Sequence, residues 1–407
     1  MKIAIGHSRL TDAFQSGQAV IQQATAHSDL DHVDIAIAFC TQDMNAEQFL
    51  RGLRSQLGEN TPIYGSTTVG IIAKDTMAYL NSAANVLLIQ SEGVEIRHQG
   101  LSGIHQDTEH VGRRLAEHLG IQATDQFLLL FYGMIKNPPT TTKPPRMNSL
   151  KSILRGMHSL IPNEFPIFGG GMLGDYHFTP ARVFYNHSID PQNMWALAFG
   201  GDMSFYHTIM HGCTPFDGTY HTITKHYGAI IRELNHRPAA EVLDEIFGKP
   251  DWRTEIPIKD LTVGVNLGEK YGPFQESNYV TRLISGFMKK SNSIMTPEPD
   301  WCDGNEIQFM IRDNENMMAS ADLYSRALLQ KILKDGKQPL LGFYIDCAGR
   351  TALFCNSIKE EAKVVQSVFQ EFQVPLFGMY SGIEVAPLLG VSRGLEWTGV
   401  LVVFATN

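Results

Sequence analysis

Two short stretches late in the chain bring together residue types that can do chemistry. Asp346-Cys347-Ala348-Gly349-Arg350 sets a carboxylate, a thiol and a guanidinium side by side, and Tyr380-Ser381-Gly382-Ile383-Glu384 adds a phenol, a hydroxyl and a second carboxylate. Arg350 can pair bidentately with a ligand carboxylate, while Glu384 or Asp346 can take an amine. The glycines leave backbone N–H groups open to close approach. Arg350 and Glu384 can equally form a structural ion pair that closes two turns. Cys347 has the placement of a nucleophile on a strand-to-turn elbow, with N–H groups nearby as an oxyanion hole and Arg350 to lower its pKa. The base is missing, because no histidine follows His236. A small buried thiol is the other role open to Cys347.

These groups need strands to deliver them. Residues 339–346 read as an apolar strand ending at Asp346, and residues 374–380 as a second one ending at Ser381. In open α/β sheets the carboxyl ends of strands line the ligand crevice. The same logic occurs twice earlier. Thr61-Pro-Ile-Tyr-Gly65-Ser66-Thr67-Thr-Val-Gly70 and Phe165-Pro-Ile-Phe-Gly169-Gly170-Gly171 each run a proline and an apolar pair into a glycine turn. This parallel suggests two related half-units facing one pocket. Gly65, Ser66, Thr67 and Gly170 are then expected to offer N–H groups to a ligand. A Ser/Thr/Gly turn can cradle an anion or only reverse the chain, and this one lacks the lysine of a phosphate-binding P-loop.

Between these points the chain alternates strands and helices. Strands are expected over 2–6, 33–39 and 126–132, the last apolar throughout, as parallel central strands are. Helices are expected from Asp12 to residue 26, over 46–57, 107–119, 147–160, 320–334 and 359–372, several stopped by glycine. Residues 181–186, 194–199 and 204–210 read as an antiparallel meander. Four prolines in residues 137–145 forbid helix there and mark a surface loop. The reading is an α/β, two-domain layered fold with mixed, partly parallel sheets flanked by helices, divided into 1–215 and 216–407.

Composition narrows the class. The chain has 407 residues, 43% of them hydrophobic, and a net charge of -9, which argues against a nucleic-acid surface. No apolar run reaches the length of a membrane span, and the amino terminus lacks signal-peptide architecture, so a cytoplasmic protein is expected. Five scattered cysteines without a Cys-x-x-Cys pair indicate reduced thiols. The fifteen histidines all lie between His7 and His236. Any histidine-held metal or haem must therefore use the first part of the chain.

The paired segments at 346–350 and 374–384 resemble the carboxy-terminal half of the FIST family, named for F-box and intracellular signal transduction proteins. The Gly65-to-Gly70 turn and Gly169-Gly170-Gly171 resemble the turns of its amino-terminal domain, and the helix start at Pro238-Ala239 resembles its junction. The resemblance implies a bacterial sensory module that binds a small molecule, is not an enzyme, and admits an oligomer. No kinase, cyclase or methyl-accepting region is present in the sequence, so a signalling partner in trans is expected, such as a histidine kinase or a cyclic-di-GMP enzyme. One branch of the family senses nitric oxide through haem. That branch implies haem b held without covalent attachment, with His177, His207 or His211 as axial ligand. A second reading keeps the sensor and replaces haem with a small metabolite such as an amino acid. A third is a cysteine-dependent hydrolase using Cys347.

Overall fold

A computed structural model describes residues 1–26, 28–141 and 143–406. Three strand pairs set its plan, each a parallel pair joined by a helix. Ile35–Thr41 pairs with Ile63–Thr68 through helix Ala46–Leu57, Asp125–Gly133 with Ile167–Met172 through Leu150–His158, and Gln338–Cys347 with Leu376–Ser381 through Glu361–Glu371. Each second strand enters through the same residues, Pro62-Ile-Tyr-Gly65, Pro166-Ile-Phe-Gly169 and Pro375-Leu-Phe-Gly378. The three proline carbonyls each accept one bond at 2.9 Å, from the N–H of Ala36, Leu128 and Gly342. A Cβ at Gly65, Gly169 or Gly378 would overlap the carbonyl oxygen of Ala38, Leu130 or Tyr344, the residue opposite each in the register. The molecule therefore holds three repeats where the sequence suggested two half-units.

Each repeat also carries two antiparallel strands on one side of its pair, giving the first sheet the order Lys2–Ser8, Ala84–Gln90, Ile35–Thr41, Ile63–Thr68. The other side is completed by a hairpin lent from another repeat. Gly70–Ala73 leaves the first repeat and pairs with Leu376–Ser381 of the third, Ile383–Leu388 leaves the third and pairs with Ile167–Met172 of the second, and Val183–Tyr185 leaves the second and pairs with Ile63–Thr68 of the first. The exchange closes a ring of three six-stranded sheets. Their inner faces share one core, where Phe39 meets Phe131 at 5.8 Å and Phe131 meets Phe343 at 6.0 Å between ring centroids. Helices cover the outer faces. Residues 211–313 interrupt the third repeat with a separate nine-stranded sheet and the helix Ala239–Phe247 around their own core.

The α/β class with mixed sheets flanked by helices is the one expected. Helix Ala46–Leu57 forms over the expected residues, and Asp12 caps Ala13–Thr25, its carboxylate accepting from the Gln15 N–H at 2.8 Å. Two further expectations need correction. The glycine segments at 65–68 and 169–171 are strand interior, because glycine there admits a neighbouring carbonyl and reverses nothing. The strands at 183–185, 193–201 and 204–210 form no meander but belong to three different sheets. The proline-rich segment is a surface loop as expected, framed by a short pairing of Ile135–Asn137 with Arg146–Met147, and its residue 142 lies outside the described residues. No described helix is long and apolar enough to cross a membrane.

Candidate functional site

Gln338–Cys347 and Leu376–Ser381 end at the same level, with Asp346 opposite Tyr380 and Cys347 opposite Ser381. One residue later the chain reverses, and Glu384 comes to lie opposite Gly170. Gly170, Cys347, Ser381 and Glu384 are thereby brought together. Ser381 Oγ donates to Glu384 Oε1 at 2.7 Å, and the Thr398 N–H donates to Oε2 at 3.3 Å. A Cβ on Gly170 would stand 2.9 Å from that of Ser381, so glycine is what lets the strands close here. Burial pushes the Glu384 carboxyl up to about 8 against the pull of these bonds, so it keeps its proton at neutral pH. Burial and the neighbouring Glu384 push the Cys347 thiol up as well, which leaves it without the thiolate a nucleophile needs.

Arg350 stands one layer behind, fully buried. Its Nε lies 3.2 Å from Asp346 and its Nη2 3.2 Å from Glu361, while Nη1 donates to the carbonyls of Trp397 at 2.9 Å and His211 at 3.1 Å. Tyr344 donates its hydroxyl to Glu361 at 2.7 Å. One guanidinium thus faces two carboxyls. Burial, then the neighbouring Glu361, raises Asp346 well above the carboxylate range. The group is a structural ion cluster, and Arg350 pairs with Asp346 and Glu361 instead of Glu384.

In front of Cys347 and Ser381 lies a cavity of about 100 Å³. Tyr176, Phe178, Phe354 and Trp397 form its aromatic walls, the interrupting segment adds Pro257 and Leu283, and Glu396 stands among its polar groups. Trp397 has φ 58 and Phe178 φ 60, a left-handed backbone that bulky residues rarely adopt and that gathers at functional sites. Trp397 is fixed on several sides. The Arg312 guanidinium lies 3.7 Å from its ring centroid, Phe354 packs at 5.7 Å, and a Cβ on Gly349 would reach within 2.6 Å of Cε3. Glu396 Oε2 accepts from the Leu283 N–H at 2.5 Å, but among the described residues Oε1 has no hydrogen-bond partner, and neither has Trp397 Nε1. Burial pushes Glu396 up to about 8.

The remaining expected site residues sit apart from this cavity. Gly65, Ser66 and Thr67 are buried in their strand, where Ser66 donates to the Thr67 carbonyl and Thr67 to Gln42. The first repeat reaches the strand ends of the third through Thr68, whose hydroxyl donates to the Tyr380 carbonyl at 2.5 Å. Tyr380 is buried with its hydroxyl unpartnered and its ring edge-on to Tyr79. A haem needs an apolar slot faced by a free imidazole nitrogen. His211 Nδ1 accepts from the Cys213 N–H at 2.9 Å and its Nε2 donates to the Glu276 carbonyl at 3.0 Å, so both nitrogens are used. His177 is exposed, His207 packs 4.9 Å from the Phe168 ring, and none of the three lines the cavity. These residues do not fit a haem.

Tyr176, Glu396 and Trp397 were not singled out from sequence. Gly349 carries the trace of one of them, since its missing side chain is the space that Trp397 fills.

Comparison with known proteins supplies the family. No curated protein matches the sequence significantly. Among solved structures, cyanuric acid hydrolase from A. caulinodans is similar at 8% identity, over 100% of this chain and 99% of that one, with a TM-score of 0.36. Phosphoribosylformylglycinamidine synthase II from Thermotoga maritima is similar at 10% identity, over 99% of this chain and 71% of that one, with a TM-score of 0.22. Neither likeness is close enough to carry an activity across. The FIST N domain matches residues 34–237 and the FIST C domain residues 239–387. Spanning most of the chain in that order, they show that it belongs to the FIST family, whose domains are signal-transduction sensors for small ligands.

Proposed function

We propose that this chain senses a compact metabolite bearing an amine or amide, such as an amino acid, in the cavity before Cys347 and Ser381. Its occupancy is reported in the cytoplasm to a separate signalling protein of the histidine kinase or cyclic-di-GMP enzyme kind. The observation that carries this reading is the pair of unpartnered buried groups on the cavity wall, Glu396 Oε1 and Trp397 Nε1. Leaving such a group unmatched costs about 1–3 kcal/mol, which a ligand recovers by supplying an acceptor to the indole and a donor to the carboxyl. Aromatic walls take the remainder of a small molecule. The cavity's 100 Å³ falls below the roughly 300–1,000 Å³ of sites for larger ligands, which favours a compact metabolite over haem.

A thermal-shift screen of amino acids and their amides, run beside a haem titration followed by absorption, tests the reading. Stabilisation by one compact metabolite, lost on Trp397→Phe, is expected. A saturable Soret band that shifts with nitric oxide, without stabilisation by any metabolite, would replace it with gas sensing.

A further inference from the structure

On the other side of the interrupting segment lies a groove of about 350 Å³. Helix Leu150–His158 of the second repeat, strands Leu261–Asn266 and Tyr279–Arg282 of the interrupting sheet, and Val391–Leu395 of the third repeat border it. Leu150, Leu154, Val265, Leu267 and Val280 make it apolar along its length. Four cations, Lys151, Arg155, Arg282 and Arg393, face two carboxyls, Glu298 and Asp300.

Three of the cations are engaged. Arg155 pairs with Glu109, Arg282 with Asp300 at 2.5 Å, and Lys151 donates to the Asp300 carbonyl at 3.3 Å. Arg393 has no side-chain hydrogen bond or ion pair among the described residues, and its Nε is shielded from solvent. Glu298 is 3% exposed; its Oε1 accepts from the Leu150 N–H at 3.3 Å, while its Oε2 is buried and unpartnered. Burial pushes this carboxyl up to about 7. In its protonated form it can donate to a ligand oxygen.

We infer that this groove is a second ligand site, for a small organic anion whose carboxylate pairs with Arg393 and whose aliphatic body lies along the leucine and valine wall. The planar guanidinium fork suits a carboxylate bidentately. The apolar length makes an aliphatic acid the better occupant than inorganic phosphate.

The groove shares a wall with the first cavity. Arg282 lines the groove and the next residue, Leu283, lines the cavity, as alternation along an extended chain requires. Arg282 donates to the Gly394 carbonyl at 2.8 Å, and Leu283 to Glu396. The groove and the cavity are thus joined through Arg282-Leu283, which bonds Gly394 on one side and Glu396 on the other.

Isothermal titration of the full chain with hexanoate tests the site, with hexanamide as the uncharged control and Arg393→Gln as the variant. Saturable hexanoate binding is expected, weakened at least about tenfold by either change, as loss of a charge-assisted bond implies. Arg393→Gln should keep wild-type thermal stability, since the side chain makes no hydrogen bond or ion pair among the described residues. Equal hexanoate affinity in wild type and Arg393→Gln would overturn the site. So would failure of butyrate, hexanoate and octanoate to bind, and Arg393-dependent binding of inorganic phosphate alone would overturn the ligand class.

Discussion

Glu396→Gln isolates the electrostatics of the cavity. The carboxyl ordinarily titrates at 4.5 and in the folded protein at about 8, because burial outweighs the attraction of Arg282 and the Leu283 N–H bond. Between those values the folded chain holds a proton that the unfolded chain has released. Its contribution to stability is thus complete below pH 4.5 and is lost as the pH rises through 8. At 1.36 kcal/mol per pKa unit, the fully buried group loses about 2 kcal/mol between pH 6 and pH 8. An unfolding entropy near 2.1 cal/mol/K per residue converts this, for a chain of 407 residues, to about 2 °C in Tm. Glutamine has nearly the same shape and cannot ionise, and its oxygen still accepts from Leu283. Scanning calorimetry at pH 6 and pH 8 should show wild-type Tm falling about 2 °C further than that of Glu396→Gln. Glu384 titrates in both proteins and cancels in the comparison, while Glu298, whose charge helps to raise Glu396, belongs to the difference that is read. Identical slopes would refute the reasoning, since Glu396 would then be ionised in the fold and compensated by Arg282.

Two further substitutions probe the layers around the cavity. Gly349→Ala drives a methyl into the Trp397 ring, which Arg312 and Phe354 prevent from retreating, and should cost about 1–3 kcal/mol with an altered near-ultraviolet circular dichroism band; an unchanged band and stability would show that the ring moves freely. Arg350→Ala strips the cation from the buried Asp346 and Glu361 and should cost about 3–5 kcal/mol in urea unfolding at pH 7, and less at pH 5, where Asp346, already raised by burial, more readily holds its proton. A cost independent of pH would assign the loss to packing.

The sequence showed most clearly what depends on neighbours along the chain. The helix over 46–57 follows from the spacing of Phe49, Leu50, Leu53 and Leu57, the first three buried and the last half-buried, and from Gly58, which ends it. The approach of Cys347 and Ser381 also followed from local reasoning, since each ends an apolar strand. What remained hidden depends on partners far away. Nothing near Gly70 announces that its strand will pair with Phe377 to Met379, and nothing near Val183 announces a place beside Ser66. The third copy of the proline-aromatic-glycine entry, at residues 375–378, lay inside the stretch that drew most attention. Its likeness to the other two became visible only once the three glycines were seen to do the same steric task. Arg350 was assigned to a ligand or to Glu384 because Glu361, its actual partner, sits on a helix surface by sequence and turns fully inward only in the fold.

The position of the cavity follows from where the threefold plan is broken. In the first and third repeats a single residue, Val69 or Gly382, separates the inner strand from the hairpin it lends. In the second repeat residues 173–182 intervene, and that longer link brings Tyr176 and Phe178 over the strand ends of the third. The third repeat is also the one interrupted at 211–313, and the interruption returns Pro257 and Leu283 to the same place. Glu396 and Trp397 complete the enclosure from the turn before the last strand, Trp397 at the cost of a left-handed backbone. A regular threefold molecule would have filled all three strand ends alike with its own side chains. Two local departures from regularity meet at one of the three, and there Glu396 Oε1 and Trp397 Nε1 stand unpartnered among the described residues beside an aromatic-walled space. Specific recognition of one molecule is therefore expected where the repeats differ, while the glycines they share serve the frame.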